Sequence, residues 1–237
     1  MALGSVIFWR LSGNMPASGL PEIEAPRGMV ALRRALEGLY PNDRVEPCRS
    51  STERALVVMR REDTGGKVAY REVDRVWFEL GKPTKFQAEY DTACDTLIAT
   101  DVMTYITAFA GKLGALPLRD RGGVYFLPES AVASWRELGA RLRGCSAHQL
   151  YDITANSGPE SVRAVLDSLM HEVRARIEET RAEDIGRRGV KNRLDALDSW
   201  REEVRAFEST LGMSLVDLRR EIDDFGAELG MKLVLAC

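Results

Sequence analysis

Between residues 190 and 211 an apolar side chain returns at every seventh position, as Val190, Leu197, Val204 and Leu211, with Trp200 and Phe207 three places after Leu197 and Val204. Upstream, Val162, Leu166, Leu169, Val173 and Ile177 make a second stripe. Downstream, Leu215, Leu218, Ile222, Phe225 and Leu229 advance by alternating threes and fours. Such a repeat gathers its apolar groups on one narrow face of a helix, and that face must be buried against another helix. The spacing therefore predicts a helical, coiled-coil-like region over residues 157–237. Gly186 and Gly189 in IGRRGVK read as one break, and Gly212 with Ser214 in LGMS as another. If both are turns, a helical hairpin or three-helix bundle fills the stripe internally. If the chain stays helical through Gly186, at ~1 kcal/mol for an interior glycine, an arm results that a second chain must cover.

The start of this region carries a capping signal. In SGPES, Ser157 is placed to accept the N–H of Glu160 and Glu160 to reach back to the Ser157 N–H. Pro159 sits in the first turn, where its missing donor is no loss.

Before residue 157 the periods are mixed. SVIFWRLSG (5–13) is β-branched and aromatic and reads as a strand, and the proline-broken NMPASGLPEIEAP as a connector. RGMVALRRALEGLY (27–40) has helical spacing. RALVVMRRE, DTGGK and VAYREVDRVWFEL (54–80) predict a hairpin, with Gly65 and Gly66 in the turn and a bulge near Val73 where alternation fails. KFQAEY (85–90) predicts a third strand. Leu97, Ile98, Val102, Tyr105, Ile106 and Phe109 predict a helix that ends at Gly114. A second hairpin follows in GALPLRDRGGVYFLP (114–128), then a helix carrying Val132, Trp135, Leu138 and Leu142 on one face, then a strand in SAHQLYDITAN.

The fold class is thus α+β: an antiparallel sheet with covering helices, followed by a coiled-coil-like helical hairpin or three-helix region. Three segments are expected: 1–93 as a small sheet with one helix, 94–156 as a winged-helix-like helix–hairpin–helix–strand, and 157–237 as helices.

The chemistry in this sequence is sparse. His148 and His171 are the two histidines, and neither has a neighbour in sequence that suggests a nucleophile and its base. Cys145 and His148 make two metal ligands at most, and Cys48, Cys94, Cys145 and Cys237 form no CxxC pair. RGG (121–123) and TGGK (64–67) lack the strand–loop–helix context of a phosphate cradle. An enzyme is not expected, nor a metal or cofactor. Without a leader or a long apolar run the expected setting is cytoplasmic, away from membranes.

Formal charge is −3 overall, and residues 158–237 carry 13 Lys+Arg against 17 Asp+Glu. Any contact with nucleic acid is therefore expected from a basic patch in the first two thirds of the chain. Arg60, Arg61 and Lys67 on the first hairpin, with Arg119 and Arg121 on the second, are the candidates. Helix followed by basic ribbon is the order of a winged helix, yet the preceding helix lacks the Arg, Lys, Asn or Gln that read bases. The second hairpin reads as sheet scaffold first and as wing second.

Gly122, Gly123, Val124, Tyr125, Phe126 and Pro128, followed by an amphipathic helix, a strand and a helix opening with Pro–Glu, carry a resemblance. Over roughly residues 95–180 the chain resembles a family of uncharacterised bacterial, plasmid and phage proteins with a GGVYFxP hairpin core and a helical tail. The resemblance implies a mobile-element or accessory context and no activity.

Two functions are expected from these features. The first is a non-enzymatic interaction or assembly protein that associates with itself or a protein partner through residues 158–237, anchored by Leu197, Trp200, Val204, Phe207 and Leu211. The alternative is a nucleic-acid-binding accessory protein that uses the basic hairpins.

Overall fold

A computed structural model describes residues 2–48, 54–64, 67–119, 122–183 and 187–235. In chain order the elements are strands β1 (Ala2–Arg10) and β2 (Met15–Pro16), helix α1 (Gly28–Leu39), and strands β3 (Arg44–Pro47), β4 (Ala55–Thr64), β5 (Lys67–Glu79) and β6 (Lys82–Pro83). Helix α2 (Gln87–Cys94), strand β7 (Thr96–Leu97), helix α3 (Ala99–Lys112), strands β8 (Leu116–Pro117) and β9 (Tyr125–Pro128) and helix α4 (Glu129–Cys145) come next. Strand β10 (Gln149–Asn156) and helices α5 (Pro159–Ala182), α6 (Arg187–Leu211) and α7 (Val216–Leu235) complete the chain. The fold is α+β with antiparallel sheets. Gly65, Gly66, Arg121, Gly186 and Cys237, singled out in the sequence, lie outside the described residues.

Two compact units form: one from Met1–Arg10, Ile106–Ala140 and Gln149–Cys237, the other from Leu11–Tyr105 and Arg141–His148. This division cuts across boundaries at 93 and 156, because β1 pairs with strands from far along the chain.

In the first unit the sheet order is β10-β1-β9-β8. Its central strand pairs through Ile7 with Asp152 on one side and Tyr125 on the other. The second hairpin is therefore laid into a sheet. Ile7, Trp9 and Tyr125 share one face, where Trp9 stacks on Tyr125 and meets Trp135 of α4 with ring centres 6.0 Å apart. The Trp135 Nε1–H donates to the Tyr151 carbonyl at 3.2 Å, tying α4 to the outer strand. On the opposite face Phe126 meets Phe207 of α6. Gly4 permits this packing, since a Cβ there would collide with the Leu127 carbonyl oxygen and lie 2.8 Å from the Phe126 ring.

Helices α5, α6 and α7 share one apolar core with Leu3, Leu116 and Phe126 of the sheet region. Ion pairs give their directions. Arg176 meets Glu203 and Arg193 meets Glu183, so α5 and α6 run antiparallel. Arg201 meets Asp223 and Arg219 meets Glu208, so α6 and α7 do too. Arg174–Glu221 and Arg181–Glu228, each seven residues on from the last, make α5 and α7 parallel. The result is an up-down-up three-helix bundle. Gly212, with a left-handed φ of +65°, ends α6, and the Glu208 carboxylate accepts the Leu215 N–H at 2.6 Å before α7 begins. Helix α5 starts differently from its capping signal: Gly158 is the N-cap, no side chain caps it, and Pro159 is the first helical residue. The chain enters the helix one residue too late for Ser157 to serve.

In the second unit β3, β4, β5 and β6 form a sheet in that order, with α1 and α2 contributing to its core. Val58 pairs with Asp74 and Met59 with Glu72, which leaves Val73 as the extra residue of a bulge. The Asp74 carboxylate receives the Lys85 ammonium at 2.6 Å, the Arg75 N–H at 2.8 Å and the Tyr40 hydroxyl at 3.0 Å. Burial works to raise the Asp74 pKa, but these donors together hold it below the usual carboxylate range. KFQAEY is not a strand. Phe86 takes a left-handed φ of +62°, which ends extended pairing, and Gln87–Cys94 coils into α2 so that Tyr90 is buried beside Phe78. The edge pairing predicted there is supplied by the two residues of β6.

Candidate functional site

The predicted partner anchors lie inside the bundle. Leu197, Val204 and Phe207 are at most 2% exposed, and Trp200 and Leu211 are partly buried against the same core. Trp200 stacks on Phe225 of α7. Within a single chain the heptad stripe is thus covered by the chain's own helices.

The predicted basic hairpins carry mixed charge. Arg60 is held in a two-pronged pair by Asp43 at 2.8 and 3.1 Å, and its guanidinium keeps the Asp43 carboxyl below the usual range. Arg61 faces Asp63 at 3.4 Å. Lys67 is exposed at the start of β5. Arg119 belongs to the other unit, where it lines a groove with Pro117, Asp167, His171 and Glu172, so two carboxylates share its surroundings. Arg121 is outside the described residues.

A denser basic site lies where the summed charge did not point. The end of the α6–α7 hairpin forms a groove of about 390 Å³ lined by Arg201, Arg205, Val216, Arg219, Arg220 and Asp223. The local sequence explains this. Arg201 and Arg205 are four residues apart on α6 and so share a face, while Arg219 closes the first turn of α7 and Arg220 opens the second. Arg201 is anchored by Asp223 at 2.9 Å and Asp198 at 2.7 Å, and these carboxylates strengthen its hold on its proton. Arg219 lies 3.4 Å from Glu208. Arg205 and Arg220 are exposed and have no carboxylate partner among the described residues. Cations close to a helix N-terminus oppose the helix dipole, so helix stability does not account for Arg219 and Arg220. Summing charge over 158–237 averaged this cluster away. The signal was present as RxxxR at 201–205 and RR at 219–220.

The two histidines belong to different units. His148 is fully buried, its Nδ1 accepts the Ser12 N–H at 3.1 Å, and its Nε2 has no hydrogen-bond partner. Burial pushes its pKa down. The Cys145 thiol near it in sequence donates to the carbonyls of Arg141 and Leu142. Among the described residues no three His, Cys, Asp or Glu side chains group as metal ligands, and no helix is long and apolar enough to cross a membrane.

A family model described as Family of unknown function (DUF6744) matches residues 55–235, from β4 through α7. The chain belongs to that family. No curated protein and no solved structure matches it. The DUF6744 match includes both hairpins, the bundle and the arginine groove, but excludes β1, the strand that separates β9 from β10.

Proposed function

We propose that this chain is a non-enzymatic interaction or assembly protein that works in the cytoplasm of a bacterial or mobile-element system. It associates with itself or with a protein partner through the outer surface of its C-terminal helices. The mobile-element setting rests on the GGVYFLP resemblance. The observation that carries the reading is the surface of α7. Its core face is buried from Leu218 to Leu229, yet Val216 at its start, and Met231 and Val234 near its end, are 50%, 61% and 73% exposed. Apolar groups left in water at both ends of one helix, with Val216 set in a groove of arginines, are what a recognition surface offers a partner. The heptad anchors then act indirectly, as the rigid interior that holds this surface in shape.

Removing residues 158–237 is a poor test, because it would uncover Leu3, Leu116 and Phe126. Surface charge is a cleaner one. Light scattering of the full chain over a concentration series is expected to reveal a mass above one chain, or crosslinking in lysate a defined partner. Met231→Lys with Val234→Lys, or Arg205→Glu with Arg220→Glu, should abolish it. A monomer at every concentration that recovers no partner sensitive to either pair of substitutions would refute the reading.

A further inference from the structure

We infer that the groove between α6 and α7 docks an acidic, partly apolar segment of a partner protein, with Arg205 and Arg220 binding carboxylates and Val216 seating an apolar side chain. This rests on the interaction reading above and gives it a partner chemistry. Four arginines from two antiparallel helices meet at one groove, and its single acidic lining residue, Asp223, is already tied to Arg201. Arg201 and Arg219 are held in place by Asp198, Asp223 and Glu208, which shapes the wall, while Arg205 and Arg220 keep their forks open. A guanidinium fork matches a carboxylate with two parallel hydrogen bonds, and because the fork is planar and pre-organised, less freedom is lost for each bond formed.

Nucleic acid presents phosphates as well, but the groove fits it less. Val216 lines the site and has no use for a phosphate backbone. Exposed Glu202, Asp217 and Asp224 on the same two helices repel a strand that carries charge at every step. A short peptide with a few carboxylates around one apolar residue confines its charge to the arginines.

The test uses the full chain and fluorescence anisotropy with two labelled probes, a peptide of glutamate and leucine and a single-stranded DNA oligonucleotide, at low and moderate salt. The peptide is expected to bind, and Arg205→Glu with Arg220→Glu to weaken it by about tenfold or more. The corresponding lysine pair should fall between, since it keeps charge and loses the fork. Arg163→Glu is the control, because Arg163 is 82% exposed on α5 and only 3.7 Å from Asp167; binding should not change. Circular dichroism of each variant checks that the helices are intact. Absence of peptide binding at low salt, an equal loss in the control, or tighter binding of the oligonucleotide than of the peptide would each overturn the proposal. Partner or self-association that is lost with Met231→Lys and Val234→Lys but survives the glutamate pair overturns the groove alone. A chain that stays monomeric, recovers no partner and ignores the peptide overturns the broader reading as well.

Discussion

The molecule contains two long hairpins, α6–α7 and β4–β5, and they bury their apolar residues in opposite ways. In α6–α7 the stripe is covered along its length, from Val190 through Phe207 on one arm and Leu215 through Leu229 on the other. In β4–β5 only the base is covered. Ala55, Leu56, Val57 and Val58 are buried in succession, so both faces of β4 have neighbours there, and Val76 lies among them. Beyond the bulge at Val73 the ribbon stands in solvent, with Val68 and Tyr70 exposed although they alternate like core residues. An apolar period states which residues share a face. Whether that face is covered depends on a second element, which in the bundle is adjacent in sequence and for the distal ribbon is absent among the described residues.

The contrast can be broken or sharpened by mutation. The largest effect is expected in the bundle: Phe207→Ala should lower unfolding free energy by ~3–5 kcal/mol in a urea titration, since it empties a core site that also touches Phe126. Gly4→Ala should cost about 1–3 kcal/mol, because the added methyl has no room against the Leu127 carbonyl and the Phe126 ring. Equal stability of that variant would mean that the strand shifts freely.

A smaller effect depends on pH. The His148 pKa is pushed below its ordinary 6.5 by burial, so the unfolded chain binds this proton more readily than the folded one. Its stabilising contribution is complete above the unfolded value and is lost as pH falls from there toward the depressed folded value. In a His171→Gln background, stability measured between about pH 7 and pH 5 should decline with acid, and adding His148→Phe should flatten that decline. A slope unchanged by the second substitution would remove His148 from the account.

On the bundle surface a double-mutant cycle for Arg181 and Glu228 should yield only ~0.2–1 kcal/mol, diminished by salt, despite its 2.7 Å and 3.0 Å hydrogen bonds. Tyr70→Ala on the ribbon should stay within about 0.5 kcal/mol of the parent. A larger loss there would mean that the ribbon is covered in solution.

What the sequence made legible follows the same division between local pattern and long-range cover. The three C-terminal helices, the break at Gly212 and the bulge near Val73 could be read because each is decided within a few residues. KFQAEY misled because its alternation is equally consistent with a helix that buries one tyrosine, and the left-handed Phe86 that decides the matter has no local signature. The capping box failed by one residue, since Ser157 and Gly158 are both acceptable caps and the chain's approach from β10 selects Gly158. The hairpin at 114–128 was legible as scaffold. Its placement beside β1, more than a hundred residues earlier, was not. The arginine groove escaped because two helices had to be folded together before RxxxR and RR became one surface, while net charge, counted along a line, reported the reverse sign.

The position of β1 bears on how the chain is made. This strand leaves the ribosome well before its partners, since the two strands that flank it emerge only after some 120 and 150 further residues. Until then Val6, Ile7, Phe8 and Trp9 travel without their sheet, an attractive hold for a chaperone and a weak point for misassembly, and closing so long a loop slows folding. Assembly of this sheet is therefore a late event, timed by the translation of its last strand.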